Sequence, residues 1–313
     1  MPSHPFLKQV FSLKEQIGFT SKFKSDHSSS TCIVISGMGG SGVAGRIFAE
    51  MYSAKPVIIV DSYELPEFVN KGYFFVAVSY SGNTEETLNT VREAKKRGIQ
   101  IHSITTGGEL ESLSDECINV PKGLQPREAI GYLLMPLVNS FLDIKNEEIE
   151  KTQKLLDALE TNSSPTWNLA QKITDSGKIP YILSWEPFKA MSYRFKTQFN
   201  ENSKMFAVSH TLSEQNHNEL VPLLMNEEMS SKFFFIVIEG AESRNTNRLE
   251  LVEKGSGLSF VHIVPKGDSQ FQKLFYLLHF IDFVTVQAAV NRSIDPEDVK
   301  VLENLKNELK KIK

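Results

Sequence analysis

Two short segments combine residue types suited to holding an anion. Gly37-Met38-Gly39-Gly40-Ser41-Gly42 lies between the apolar run Cys32-Ile33-Val34-Ile35 and a helical stretch from about Val43 to Tyr52. Glycines let backbone N–H groups approach a ligand, and a helix N-terminus adds unsatisfied donors and a favourable dipole. Ser79-Tyr80-Ser81-Gly82-Asn83-Thr84-Glu85-Glu86-Thr87 again joins an apolar run to a helix. Ser79, Ser81 and Thr84 place three hydroxyls around one turn, enough with free N–H groups to ring a phosphate dianion without Lys or Arg. Each loop has a plainer reading. Ser81 or Thr84 suits a helix cap. Gly37, Gly39 and Gly42 also fit a dinucleotide-binding spacing, with Asp61 ending the next strand where a ribose-binding acid belongs. Two such loops at the ends of successive strands favour the phosphate reading, because ligands of open parallel sheets bind at those carboxyl ends.

The elements that must carry these loops follow from the patterning. Short apolar runs alternate with longer helix-like segments, as βα units of a parallel sheet require. The strand candidates are Ile33–Ser36, Pro56–Val60, Phe74–Ser79, Ile99–Thr105 and Cys117–Val120. In the second half they are Pro180–Leu183, Phe233–Ile238 and Phe260–Val264. Helices are expected after the Thr84 loop up to Gly98, over Arg127–Leu142, from Pro187, and over Asp268–Val290 and Asp295–Lys310. Lys145–Pro165 reads as a linking helix and an inter-domain turn. The expected architecture is two α/β halves, 1–150 and 151–313, without a residue-level repeat between them.

Composition narrows the partners. The 313 residues carry 34 Lys and Arg against 38 Asp and Glu, a net charge of -4, which lacks the basic footprint of a nucleic-acid binder. Any bound anion is therefore held by local geometry and not by a global field. Cys32 and Cys117 form neither a metal spacing nor a disulfide framework, and Cys32 opens a buried strand as a small apolar residue would. Met1–Thr20 has no signal-peptide pattern. The longest strongly apolar run, Phe233–Ile238, is too short to span a bilayer. A cytoplasmic protein with no membrane contact is expected.

The loops resemble those of the sugar isomerase (SIS) domain, the Ser79–Thr87 segment most specifically. Across Gly37–Lys306 the chain is similar to the archaeal-type bifunctional phosphoglucose/phosphomannose isomerases. That resemblance implies two doubly wound, flavodoxin-like three-layer αβα subdomains and metal-free proton transfer between C1 and C2 of an opened sugar phosphate. Phe199-Asn200-Glu201-Asn202-Ser203-Lys204 is similar to the family's N-E-N-x-K segment, which makes Glu201 the base; alone it reads as an exposed glutamate at a helix end. Asn216-His217-Asn218-Glu219 resembles the N-H-N-E segment, whose histidine assists ring opening and reaches the site from the second subunit of a dimer. Arg127, in Gln125-Pro126-Arg127-Glu128-Ala129, takes the enediolate-stabilising role by the same resemblance, although a cation is mildly disfavoured at a helix start.

Lys306, in the D-P…L-K pattern from Asp295-Pro296 to Leu305-Lys306, is implied to contact the ring-opening region, while its lysine neighbours suit a solvated helix. Ser79, Ser81 and Thr84 would hold the phosphate, and Gly39, Gly40 and Ser41 would line the sugar. Ser203 stands where an alanine is common in the family, and Ser213-Glu214-Gln215 where a Pro-Glu pair is usual. No cofactor is expected, since His217-x-Glu219 is the only metal-like spacing and no further ligand clusters with it. A small-molecule sugar phosphate and a homodimer are the expected partners. A phosphosugar sensor without chemistry, or a dinucleotide-dependent oxidoreductase built on Gly37–Asp61, are the competing readings. The apolar stripe Phe271–Phe283 suits either the dimer contact or the core.

Overall fold

The protein is described here by a computed structural model covering residues 4–309 and 311. The chain opens with α1 (Leu7–Phe11) and α2 (Leu13–Gln16). The first α/β half runs β1 (Cys32–Ser36), α3 (Gly39–Met51), β2 (Val57–Val60), β3 (Tyr73–Ser79), α4 (Glu85–Lys96), β4 (Ile101–Thr105), α5 (Gly108–Leu113), β5 (Glu116–Asn119) and α6 (Ile130–Phe141). Two helices, α7 (Asn146–Thr161) and α8 (Ser164–Ser176), lead to the second half. That half runs β6 (Ile179–Ser184), α9 (Lys189–Asn202), β7 (Val208–Thr211), α10 (Leu212–Gln215), α11 (Leu220–Met225), α12 (Glu227–Ser231), β8 (Phe233–Ile238), α13 (Arg244–Ser256) and β9 (Phe260–Ile263). It closes with α14 (Gln270–Asn291) and α15 (Lys300–Leu309).

Each half is built on a wholly parallel sheet, in the order β2-β1-β3-β4-β5 and β7-β6-β8-β9. The orders share one doubly wound pattern, in which the first strand of each half lies inside the sheet and the chain turns back beside it. Strand β1 is buried at every residue, as a strand covered by helices on both faces must be. All eight expected strands form, with no end shifted by more than two residues. Strand β7 was not expected. Val208-Ser209-His210-Thr211 is a half-buried edge of mixed polarity and shows no apolar run.

Three helix starts differ from the sequence expectation by three residues or more, each for a local reason. Helix α3 begins at Gly39, so the glycine segment is its first turn and not a loop ahead of Val43. A Cβ at Gly42 would lie 2.6 Å from the Gly37 carbonyl oxygen, so the turn packs too tightly for a side chain. Helix α6 begins at Ile130, not Arg127, and the Gln16 side chain caps it by accepting from the Gly131 and Tyr132 N–H groups. Helix α15 begins at Lys300, because Asp295 and Asp298 accept from the Glu297 and Lys300 N–H groups in turns after Pro296.

The halves share one core. A single hydrophobic cluster includes Ile35 and Val78 of the first sheet, Leu133 of α6, Ile182 and Ile236 of the second sheet, and Leu274 and Ile281 of α14. Helix α14 packs on α1, α7, α8 and α9. It is long and apolar enough to cross a membrane, yet 89% of its most apolar window is buried inside the fold. The stripe Phe271–Phe283 is thus the central core element of this chain.

Candidate active site

The two glycine- and serine-rich segments leave neighbouring strands of one sheet. Strands β1 and β3 pair directly, and a Cβ on Gly37 would sit 2.8 Å from the Val78 carbonyl oxygen. The N–H groups of Ser41 and Gly42 already bond to the Met38 carbonyl, and Ser41 is buried. Gly39 and Gly40 keep free N–H groups among the described residues, and nothing lies within 4 Å of a Cβ built on Gly39. In the second turn Ser79 is buried, its hydroxyl 2.9 Å from the Thr84 hydroxyl and accepting from the Gly82 N–H. Ser81 is exposed, and its hydroxyl accepts from the Asn83 N–H. Gly82, at φ +68°, presses against Gly107, whose carbonyl oxygen would lie 1.7 Å from a Cβ. Thr84 occupies the N-cap of α4 but makes no side-chain cap bond, so its hydroxyl belongs to Ser79 instead.

Arg127 is reached from the first turn. A Cβ on Gly40 would lie 3.2 Å from both the Arg127 Cα and the Pro126 carbonyl oxygen. Arg127 is only 4% exposed and its guanidinium is held from two sides: Nε donates to Asn202 Oδ1 at 2.7 Å and Nη2 to the Pro296 carbonyl at 2.7 Å. Its Nη1 lies 3.6 Å from Glu201 Oε2, and its face covers the Phe6 ring at 5.2 Å. Lys204, held at φ +52°, donates to the carbonyls of Glu201, Asp295 and Pro296. Burial, and then the Arg127 charge, hold its ammonium below the ordinary lysine range. Glu201 in the last turn of α9 is half-buried, so a partly exposed carboxylate stands beside a fixed guanidinium.

A buried polar network backs this pair, and the sequence reading did not find it. Arg194 donates to both Asp282 oxygens, at 2.8 and 2.7 Å, and to the Arg127 carbonyl at 3.1 Å. Gln198 donates to Asp282 and to Glu128, while Asn202 donates to Thr285. Burial and the neighbouring Asp282 charge push Glu128 up to about 7. Two signals were present. Arg194, Gln198 and Asn202 recur every four residues, on one face of α9. Asp282 is a lone acid within an otherwise apolar run. Breaking such a buried pair from one side costs about 3–5 kcal/mol.

The remaining candidates stand elsewhere. His217 is exposed in the turn after α10, and no hydrogen bond or ion pair of its ring is present among the described residues. Glu219 does not orient it: it accepts from the Tyr181 hydroxyl and sits 2.8 Å from His210 Nε2. Lys306 lies on α15, which buries none of its residues. Asp61, the acid of the dinucleotide reading, is paired with Arg46 on α3. Among the described residues, no three His, Cys, Asp or Glu side chains gather as a metal site would need.

Comparison with known proteins agrees with this fold. Residues 28–140 match the SIS domain family, and residues 162–309 match the bacterial phospho-glucose isomerase C-terminal SIS domain. A bifunctional phosphoglucose/phosphomannose isomerase of Thermoplasma acidophilum is 45% identical over 97% of this chain and 97% of its own length. One of Caldicellulosiruptor bescii is 34% identical over 90% of each. Among solved structures, glucosamine-6-phosphate deaminase of Thermotoga maritima shares the fold, with a TM-score of 0.68 at 15% identity over 93% of this chain and 96% of that one. So does the C-terminal domain of glucosamine-fructose-6-phosphate aminotransferase from Francisella tularensis, with a TM-score of 0.66 at 16% identity, covering 94% of this chain and 98% of that one. With both halves matched and full-length relatives at this identity, the chain belongs to the bifunctional phosphoglucose/phosphomannose isomerase family.

Proposed function

We propose that this enzyme interconverts glucose-6-phosphate and mannose-6-phosphate with fructose-6-phosphate through a cis-enediol. The observation that carries the site assignment is the Glu201 carboxylate, 3.6 Å from the buried guanidinium of Arg127, the residue whose backbone the glycine turn approaches. In this reading the phosphate binds the hydroxyls of Ser79, Ser81 and Thr84, and Gly39, Gly40 and Ser41 line the sugar. After ring opening, Glu201 takes the proton from C2 and returns it to C1. In the same conversion the O2 hydroxyl proton passes to O1, so that O2 becomes the carbonyl oxygen and O1 a hydroxyl.

Negative charge that develops on O1 and O2 faces Arg127, whose bonds to Asn202 and Pro296 hold the guanidinium still, so little reorganisation accompanies the transition state. Rotation about C2–C3 of the open chain presents either configuration at C2 to one base, which lets a single site serve both aldoses. His217 opens the ring from the second subunit of a homodimer, an imidazole being able both to donate and to accept a proton. The exposed position of His217, with no partner for its ring among the described residues, supports a role outside its own chain. Lys306 contacts the substrate's ring-opening end, and the enzyme works in the cytoplasm.

The test is conversion of both aldose phosphates to fructose-6-phosphate with EDTA present. Turnover of both supports the reading. Turnover of neither by folded protein overturns it in favour of a phosphosugar-binding protein without chemistry.

A further inference from the structure

Among the described residues, Lys204 at φ +52° and Ser293 at φ +54° are the two non-glycine residues with positive φ. Each follows the end of a helix, Lys204 after α9 and Ser293 after α14. Helices α8 and α13 stop instead at Gly177 and Gly257, at φ +62° and +69°. Glycine takes that conformation without the Cβ clash other residues meet, so it is the usual residue there. Strained backbone of this kind persists where its surroundings over-determine it, and it gathers at functional sites. The two strained ends meet each other. Lys204 Nζ lies 2.8 Å from the Asp295 carbonyl oxygen and 3.2 Å from that of Pro296, just past Ser293. Arg292, beside Ser293, donates in return to the Ser203 carbonyl.

The Lys204 ammonium also reaches back to α9. It donates to the Glu201 carbonyl at 2.8 Å and approaches that of Asn202 at 3.4 Å. The last carbonyls of a helix have no partner within it, so this contact fixes the turn that carries Glu201. Pro296 closes the figure, because its carbonyl also accepts from Arg127 Nη2, at 2.7 Å. The main chain of Glu201 and the Arg127 guanidinium are thereby referred to one oxygen atom.

We propose that Lys204 is a positioning residue, whose ammonium ties the main chain of Glu201 to the Asp295–Pro296 segment and so sets the base against Arg127. An ammonium has three N–H donors, and the carbonyls around this one leave none over for substrate. Lys204 acts through Glu201 and moves no proton itself. A glycine would end α9 with less strain but could not make the tie, which is the reason a lysine stands there. The inference rests on the reading of Glu201 as the base for its catalytic consequence, and on the hydrogen bonds alone for the tie.

The experiment compares Lys204→Gly and Lys204→Met in the full-length chain. Glycine removes the ammonium and relieves the backbone, whereas methionine removes the ammonium and keeps a flexible side chain in the strained position. In both, kcat on glucose-6-phosphate should fall by about 10–10²-fold, the cost of a base displaced by about 1 Å, with KM within about threefold of wild type. Lys204→Gly should melt no lower than Lys204→Met, which separates lost activity from lost fold. A residue needed only to end the helix is replaced by glycine without loss, so wild-type kcat in Lys204→Gly would overturn the inference. So would a raised KM at unchanged kcat, the mark of an ammonium that binds substrate directly. Hydrogen–deuterium exchange reads the tie without catalysis. Amides of 199–205 and 294–298 should exchange faster in Lys204→Met while β1 and β3 stay as in wild type, and unaltered exchange in both segments would refute the tie. If wild type converts no aldose phosphate, the reading of Glu201 as the base falls, and the exchange result still decides whether the tie exists.

Discussion

Glu201 illustrates how much a single side chain owes to its neighbours. A glutamate in the last turn of a helix is ordinary, and only the fixed guanidinium 3.6 Å away makes it a candidate base. Arg127 has little freedom of its own, since Asn202, Gln125 and the Pro296 carbonyl take its donors. Replacing Glu201 by Gln keeps shape and hydrogen-bonding capacity while removing the proton acceptor. The expected outcome is a kcat reduced by about 10²–10⁴-fold, with KM changed far less. Steady-state kinetics on both aldose phosphates checks it, and near-normal turnover would remove Glu201 from the mechanism. At this scale the motif residues were legible in the sequence. Glu128, Arg194, Gln198 and Asp282 were not, because buried charge looks like surface charge until the fold shows what covers it.

Helices α3 and α9 carry the two sides of the site, and one buried contact sets them against each other. Glu50 near the end of α3 accepts from the Ala190 N–H at the start of α9, at 2.7 Å, and its other oxygen is buried without a partner. Helix α3 begins at Gly39 and α9 ends beside Glu201, so this junction holds the glycine turn and the candidate base in register. Burial pushes the Glu50 carboxyl up to about 8 from an ordinary 4.5.

The native state therefore keeps a proton that the unfolded chain has released, and stability falls as pH rises between those two values. Glu50→Gln is neutral throughout. Its melting temperature is expected to be nearly flat from pH 5 to pH 8, while that of the wild type declines; parallel curves from differential scanning fluorimetry would refute this. Element types were readable from apolar runs and turn residues, whereas ends were set by tertiary caps such as Gln16 on α6. Strand β7 escaped because an edge strand needs only one buried partner and can be polar.

At the scale of the whole molecule, the proposed site is divided between copies, and division has a measurable signature. Mixing Glu201→Gln chains with His217→Ala chains under conditions of subunit exchange forms heterodimers that contain one intact site each. Random assortment then restores about a quarter of wild-type activity from two inactive proteins. Recovery checks the division directly, and no recovery after verified exchange would place His217 and Glu201 in one subunit. The same scale explains α14. An apolar helix of 22 residues could have served a dimer contact, but the chain wraps it with α1, α7, α8 and α9.

The sequence by itself determined the class of fold, the two strand-to-helix turns and the motif residues, since these depend on local periodicity and on residue types within a few positions of each other. Tertiary structure alone decided what those residues meet. It made the glycine run the first turn of a helix, set Arg127 against Glu201, and buried an ion pair behind them. It also left α15 uncovered. Such pairings join residues far apart in the chain, as Arg127 joins Pro296, and contacts of that separation leave no local pattern to read.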